Sequence, residues 1–294
     1  ISEINLFNLA NKIKEKKYNL KHIKFILGDC SDKFFLENYF KNKNIDDIYH
    51  AAAYKHVNFG EENPYSMIKN NIFATKILVD FSSNKQIKNF VFISSDKAVN
   101  PKSVLGITKN YGEKIIKNKL LNKKKRGKQN FTIVRFGNVI GSSGSVIPIF
   151  LNQVIKNLPI TLTHKKARRY FMSISEAVQL VINASSMNAN DIKIYALNMG
   201  EQIYIKKIAE RIIRLSGKTI QDKNNPLGDI PIKITGLKKG EKISEELTLG
   251  DNLKKTSHPE IMLCDEKTKT YNLTKELLKI KNASFKDISK FKIL

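Results

Sequence analysis

The 294-residue sequence predicts an α/β fold: a doubly wound parallel sheet with a smaller interleaved domain. Three observations predict it. Short apolar runs alternate with longer stretches whose apolar positions recur at helical spacing, the pattern of right-handed βαβ units. The runs end in small or polar residues, at Gly28 and Asp29, His50 to Ala53, Ser94 to Lys97 and Gly137 to Val139, and the carboxyl ends of such strands are where these sheets bind ligands. Hydrophobic residues make up 41% of the chain, enough to bury the core of one large domain or two unequal ones and to exclude wholesale disorder.

Residues 2–17 carry Ile4, Leu6, Leu9 and Ile13 at helical spacing and open the chain on a helix. The apolar run at 22–27 predicts a strand, and 32–43 the helix after it. The alternation continues with a strand at 47–52, a helix at 65–83, a strand at 90–94, a helix from about 105 to 121 and a strand at 131–136. Beyond Ile140 the rhythm loosens into loops, a short strand at 160–163 and helices at 175–184 and 205–215. The expected division is a first domain over 1–138, to which 172–198 returns, and a mainly substrate-binding domain over 139–294.

Charge is the loudest compositional feature, with 52 Lys and Arg against 27 Asp and Glu, a net +25. The lysines are spread through nearly every segment, as at Lys16, Lys43, Lys117, Lys193, Lys239 and Lys279, which reads as solvated faces. The one dense run, 123–128, reads as a loop. No helix-turn-helix, zinc-finger or aromatic RNP signature offers a base reader, so specific nucleic-acid binding is not expected. The two cysteines, Cys30 and Cys264, match no zinc or redox spacing, and the five histidines form no HxxxH or HExxH pattern. No metal site is expected. No apolar run approaches the roughly 20 residues that span a bilayer, so the expectation is a cytoplasmic chain without a membrane segment.

No GxGxxG follows a strand anywhere, although this architecture calls for one in its first βα turn. The expectation is a beginning that lacks the first strand, the glycine loop and the second strand. Gly137, Gly141 and Gly144 have the wrong spacing for that loop and read as backbone room beside a ligand.

Six strings follow in order: HAAAYKHV from His50, ENP from Glu62, SSDKAVNP from Ser94, RFGNVIGSSGSV from Arg135, RYFM from Arg169 and GEK from Gly240. Together they resemble the CapD-type polysaccharide biosynthesis proteins. These include the UDP-N-acetylglucosamine 4,6-dehydratases of the extended short-chain dehydrogenase/reductase superfamily. The resemblance covers roughly residues 2–262. It implies a Rossmann-like first domain that binds NAD or NADP, a nucleotide-sugar substrate and a homo-oligomer. It also allows a membrane anchor in a segment outside this sequence.

Removing water across C5 and C6 of a sugar already oxidised at C4 needs a base at C5, an acid for the C6 hydroxyl and a hydride carrier. Adjacent Asp96 and Lys97 at a strand end suit opposite proton-transfer roles. The resemblance implies Asp96 as acid and Lys97 as base. A lysine acts as base only when desolvation or nearby positive charge lowers its pKa. The superfamily's Tyr-x-x-x-Lys pair becomes Leu105 and Lys109, so position 105 cannot move a proton; Lys109 keeps the ribose-holding role, and Ser95 is the candidate to hydrogen-bond the C4 oxygen. The resemblance further implies cofactor contacts from Asp29, Cys30, Ala51, Ala53, Ser94 and Val139. It implies substrate contacts from Lys55, Asn138, Ser142, Ser143, Arg169, Lys238 and Glu241, with Arg169 suited to clamp a diphosphate. Lys238 and Lys239 stand where the family element carries Arg and Pro. Two other readings are a C4 epimerase, which needs no C5 base, and a non-catalytic nucleotide-sugar-binding module.

Overall fold

The computed structural model describes residues 2–16, 19–118, 129–142, 144–187, 192–250, 252–266 and 273–282; the basic run 123–128 and Ser143 lie outside them. Strands β1 (Asp47–His50), β2 (Asn89–Ile93) and β3 (Asn130–Arg135) pair in parallel register, Asp47 beside Asn89 and Asn89 beside Asn130. Two-residue strands β4 (Asn138–Val139) and β7 (Phe171–Met172) pair with each other, as do β6 (Arg168–Arg169) and β9 (Ile203–Tyr204). Strand β8 (Ile192–Leu197) returns to the main sheet beside β3. Strands β12 (Leu253–Lys255) and β13 (Ile261–Cys264) complete it antiparallel, in the order β1-β2-β3-β8-β13-β12.

Alternation along the strands divides the core into two layers, because successive strand side chains point to opposite faces. Phe90, Phe92, Phe131, Ile133 and Ile194 pack with Ile72, Val79 and Ile115 from the helices Ala74–Asn84 and Val104–Lys117 and the turn before the first of them. Val91, Val134, Tyr195 and Leu197 pack on the other face with Leu180, Val181 and Ala184 of the helix Ile174–Ser186. That helix opens on a capping box: Ser173 accepts from the Glu176 amide, and Glu176 accepts from the Ser173 amide. A third core has its own sheet of β5 (Ile160–Leu162), β10 (Ile220–Gln221) and β11 (Ile230–Ile234). Phe150, Val154, Ala209 and Ile213 of the helices Val146–Ile155 and Ile205–Leu215 fill it.

Two expectations are corrected. Residues 22–27 form no strand; a single 3-10 turn, Leu20–His22, leads into an unpaired segment. A strand exists by virtue of its ladder, and among the described residues β1 pairs only with β2. Just after the segment, Gly28 lies so close to the Phe35 ring that a Cβ there would sit 2.2 Å from it. The opening helix is present at Glu3–Glu15, capped by Ser2, yet it buries none of its residues and leaves Ile4, Phe7 and Leu9 exposed. The helix expected at 65–83 is broken into Pro64–Met67, a π-helical turn Ile68–Phe73 and Ala74–Asn84. Such turns often mark functional sites.

Candidate active site

The loop after β2 is built by local hydrogen bonds. Ser94 N donates to Val134 O at 2.8 Å and Asp96 N to Phe136 O at 3.1 Å, so pairing with the β3 side continues past the strand. Ser95 Oγ accepts from the Lys97 amide at 3.2 Å and starts the 3-10 turn Asp96–Ala98. The helix Val104–Lys117, capped by Ser103, then packs against the turn; a Cβ on Gly106 would lie 2.2 Å from the Lys97 carbonyl oxygen. Only glycine permits that approach.

A cleft of about 320 Å³ opens at this strand end. Ala51, Ala53, Lys55, Ser94, Ser95, Lys97, Lys109, Asn138, Val139 and Ser142 all line it, so most of the expected site converges. Asp96 lies fully buried behind it. Its Oδ1 accepts from Lys97 Nζ and from Ser95 Oγ, each at 2.9 Å, while Oδ2 has no hydrogen-bond partner. Lys97 Nζ also faces Asn138 Oδ1 at 3.4 Å and Glu245 Oε1 at 3.8 Å. The Ser95 proton is thus directed to Asp96, so toward a C4 hydroxyl Ser95 Oγ stands as an acceptor.

Leu105 is buried in the cleft wall, where it offers no proton. Lys109 is buried too, donating to the Ile93 carbonyl at 2.7 Å with its ammonium 4.8 Å from the Phe92 ring. Burial lowers it to about 8, against the opposing pull of Glu113. Burial also lowers the Lys55 ammonium and raises the Glu245 carboxyl, the latter helped by Asp96 and opposed by Lys97. Gly144 takes φ +66° directly over the His56 ring, so its backbone room serves that contact.

Other expected residues lie elsewhere. Asp29 spends Oδ1 on the amide and hydroxyl of Ser31, both at 2.7 Å, closing its own turn, and Cys30 packs against the main core. Arg169 donates to the carbonyls of Arg168, Lys242 and Ile243, so its guanidinium ties two backbone segments together. Glu241 accepts from the Lys238 amide at 3.0 Å, a closed local turn with Lys238 exposed. None of these five lines the cleft.

Four features received no site role in the sequence reading. Glu245 and Lys242 follow Gly240-Glu241 by a few residues and turn inward, Lys242 Nζ donating to Val99 O at 2.8 Å and lying 3.6 Å from Glu245 Oε2. Only the spacing of acid and base in this string signalled them. Asn71, in the π-helical turn, holds the Tyr54 backbone, and its identity carried no periodic signal. Glu113 lies buried behind the cleft-lining Ser94: it accepts from Ser94 Oγ at 2.6 Å and from fully buried Arg135 Nε at 2.8 Å. Ser145 lines the cleft with a buried Oγ that has no partner. Among the described residues no cluster of His, Cys, Asp and Glu could hold a metal, and no helix is long and apolar enough to cross a membrane.

The chain is similar to the probable polysaccharide biosynthesis protein EpsC of Bacillus subtilis, 45% identical over 229 residues covering 77% of this chain and 36% of that protein. It is 44% identical over 200 residues to the capsular polysaccharide biosynthesis protein CapD of Staphylococcus aureus, covering 68% of this chain and 32% of CapD. It therefore spans about a third of the length of these relatives. The crystal structure of Pen from Bacillus thuringiensis superposes with a TM-score of 0.78 at 32% identity, over 92% of this chain and 79% of Pen. A family model described as polysaccharide biosynthesis protein matches residues 1–266. With that match across most of its length, the chain belongs to the polysaccharide biosynthesis protein family.

Proposed function

We propose that the chain carries the catalytic site of a nucleotide-sugar 4,6-dehydratase that acts on UDP-N-acetylglucosamine or a close relative with NAD or NADP. One observation carries this reading: Asp96 and Lys97, an acid and a base on one turn, meet Ser95, Asn138 and Lys109 around one cleft. The residues present fit the nicotinamide and its ribose. Lys109 uses one of its three N–H groups on Ile93 and can offer the others to ribose hydroxyls, while Ala51 and Ala53 leave width beside it. When bound there, NAD(P) would supply the hydride carrier that oxidation at C4 and reduction at C6 require.

The protein's own groups move the protons. Ser95 accepts the C4 hydroxyl proton and passes its own to Asp96, along the 2.9 Å hydrogen bond between them. Lys97 takes the C5 proton, made acidic by the neighbouring ketone, and Asp96 protonates the departing C6 hydroxyl, which leaves as water. The buried position of Asp96 keeps that proton from solvent.

The test is incubation of the natural protein carrying this sequence with UDP-N-acetylglucosamine and NAD or NADP. A 4-keto-6-deoxy product supports the reading. A C4 epimer without loss of water would replace it with an epimerase, and binding without turnover with a non-catalytic module.

A further inference from the structure

Lys97 has three N–H groups, and three oxygens surround them: Asp96 Oδ1 at 2.9 Å, Asn138 Oδ1 at 3.4 Å and Glu245 Oε1 at 3.8 Å. They differ in what they can do with a proton. The Asn138 amide accepts a hydrogen bond but does not take up a proton. Asp96 is 0% exposed, and its proton serves the C6 hydroxyl. Glu245, 4% exposed, stands in the wall of a second cavity of about 830 Å³, lined also by Glu201, Gln202, Tyr204 and Glu246. That cavity and the Lys97 cleft share no lining residue. A sugar filling the cleft covers Lys97 from one side and leaves Glu245 on the other.

We propose that Glu245 is the proton-exchange partner of Lys97, carrying to the water of the second cavity the proton that Lys97 takes from the substrate. The proposal rests on Lys97 as the base of the reaction above. Glu245 acts through Lys97 and touches no reacting atom. The step balances: the Lys97 ammonium gives one proton to the Glu245 carboxylate, the amine is restored, and the carboxylic acid releases the proton to water. The reverse sequence brings a solvent proton back to C5. The gap of 3.8 Å exceeds transfer distance by roughly 0.6 to 1.2 Å, within the reach of a side-chain rotation.

The charged groups that face Glu245 are Lys97 and Asp96 of the turn, Lys242 of its own loop and Arg169 of β6. Burial and Asp96 raise its carboxyl above the usual carboxylate range, which suits a group that must pick up a proton and release it again. Lys242, held on the Val99 carbonyl, lies 3.6 Å from Oε2, which has no hydrogen-bond partner, while Oε1 is turned to Lys97.

The experiment has two arms on wild type and Glu245→Gln, with Glu246→Gln as control. In the first, lysines are trace-labelled with acetic anhydride at pH 8 and quantified by peptide. Removing one carboxylate near the ammonium raises Lys97 labelling about fivefold, the strength of a single charge at this distance in water. Lysines other than Lys97 and Lys242, which lies 3.6 Å from Glu245 Oε2, stay unchanged, as does the Glu246→Gln protein, and a thermal melt confirms that each variant folds. In the second arm, turnover of UDP-N-acetylglucosamine runs in D2O and deuterium at C5 of the product is measured. Wild type incorporates solvent deuterium there. Glu245→Gln returns part of the original protium, about a third when the ammonium rotates freely, since the proton stays on Lys97 beside the two deuterons its amine already carries in D2O. Equal Lys97 labelling in the two proteins, or equal deuterium at C5, overturns the proposal. A wild type that forms no 4-keto product counts against the dehydratase reading, and the labelling arm still decides whether Glu245 and Lys97 are coupled.

Discussion

The Asn71 side chain clamps the backbone of Tyr54 at two points: Tyr54 N donates to Oδ1 at 2.8 Å, and Nδ2 donates to Tyr54 O at 3.0 Å. Nδ2 also reaches Thr108 Oγ1 at 3.0 Å. One buried amide thus joins the segment after β1, the π-helical turn and the helix that carries Lys109. Asn71→Ala leaves buried polar groups without partners, each worth roughly 1 to 3 kcal/mol. The expected outcome is a loss of about 2 to 4 kcal/mol in urea unfolding. Asn71→Asp, which keeps the acceptor and removes both donors, fails to restore it.

Gly106→Ala is expected to displace the Asp96–Ala98 turn, since the new Cβ would meet the Lys97 carbonyl oxygen at 2.2 Å and the helix backbone cannot yield. Overpacking of this kind costs about 1 to 3 kcal/mol. A lowered melting temperature, together with loss of the Lys97 labelling pattern, is the measurement. An unchanged melt would mean that the helix shifts freely and that Gly106 does not hold the turn.

Lys97→Ala, in a protein that turns over UDP-N-acetylglucosamine, is expected to lower dehydration by roughly 10² to 10⁴. Nucleotide-sugar binding stays within about threefold, because the base contributes to the reaction and not to holding the diphosphate. Steady-state kinetics and calorimetry read the two quantities. Near-normal turnover would assign the base elsewhere.

His50 sets an acid limit on stability. Thr75 Oγ1 donates to the Asn71 carbonyl at 2.7 Å, so it accepts from His50 Nε2, 2.8 Å away, and the neutral Nε2–H form is the one that fits. Burial, with Lys109 adding, lowers the imidazole from 6.5 to about 3. The folded state therefore binds fewer protons than the unfolded chain between these values. The His50 contribution is complete above about pH 6.5 and falls by up to about 1.4 kcal/mol per pH unit as pH drops toward 3. Urea unfolding of wild type and His50→Gln from pH 4 to 8 checks this: the variant's stability should decline less steeply on the acid side.

Much of the main sheet was legible in order. The runs that became β1, β2 and β3 are short, apolar and bounded by helical stretches, and their parallel pairing follows from the crossover between them. The run at 22–27 has the same local character but forms no ladder, because pairing depends on a neighbour and not on composition. The opening helix likewise forms on its capping residue and periodicity, while its apolar stripe finds nothing to cover it.

The amino-acid sequence by itself determined that small and polar strand ends, with Asp96, Lys97 and Asn138 among them, would gather at one edge. Helix and strand periods encode which side of each element is buried, and a parallel sheet brings its carboxyl ends together. Only the tertiary structure decided which charges in the 238–246 loop turn inward. Glu241, adjacent to a glycine with φ +79°, closes on its own loop, whereas Lys242 and Glu245 pack against Val99 and Lys97, more than a hundred residues earlier. Whether a carboxylate faces solvent or a lysine ammonium is set by the desolvation and pairing available in the folded contact. Local sequence carries no record of that partner.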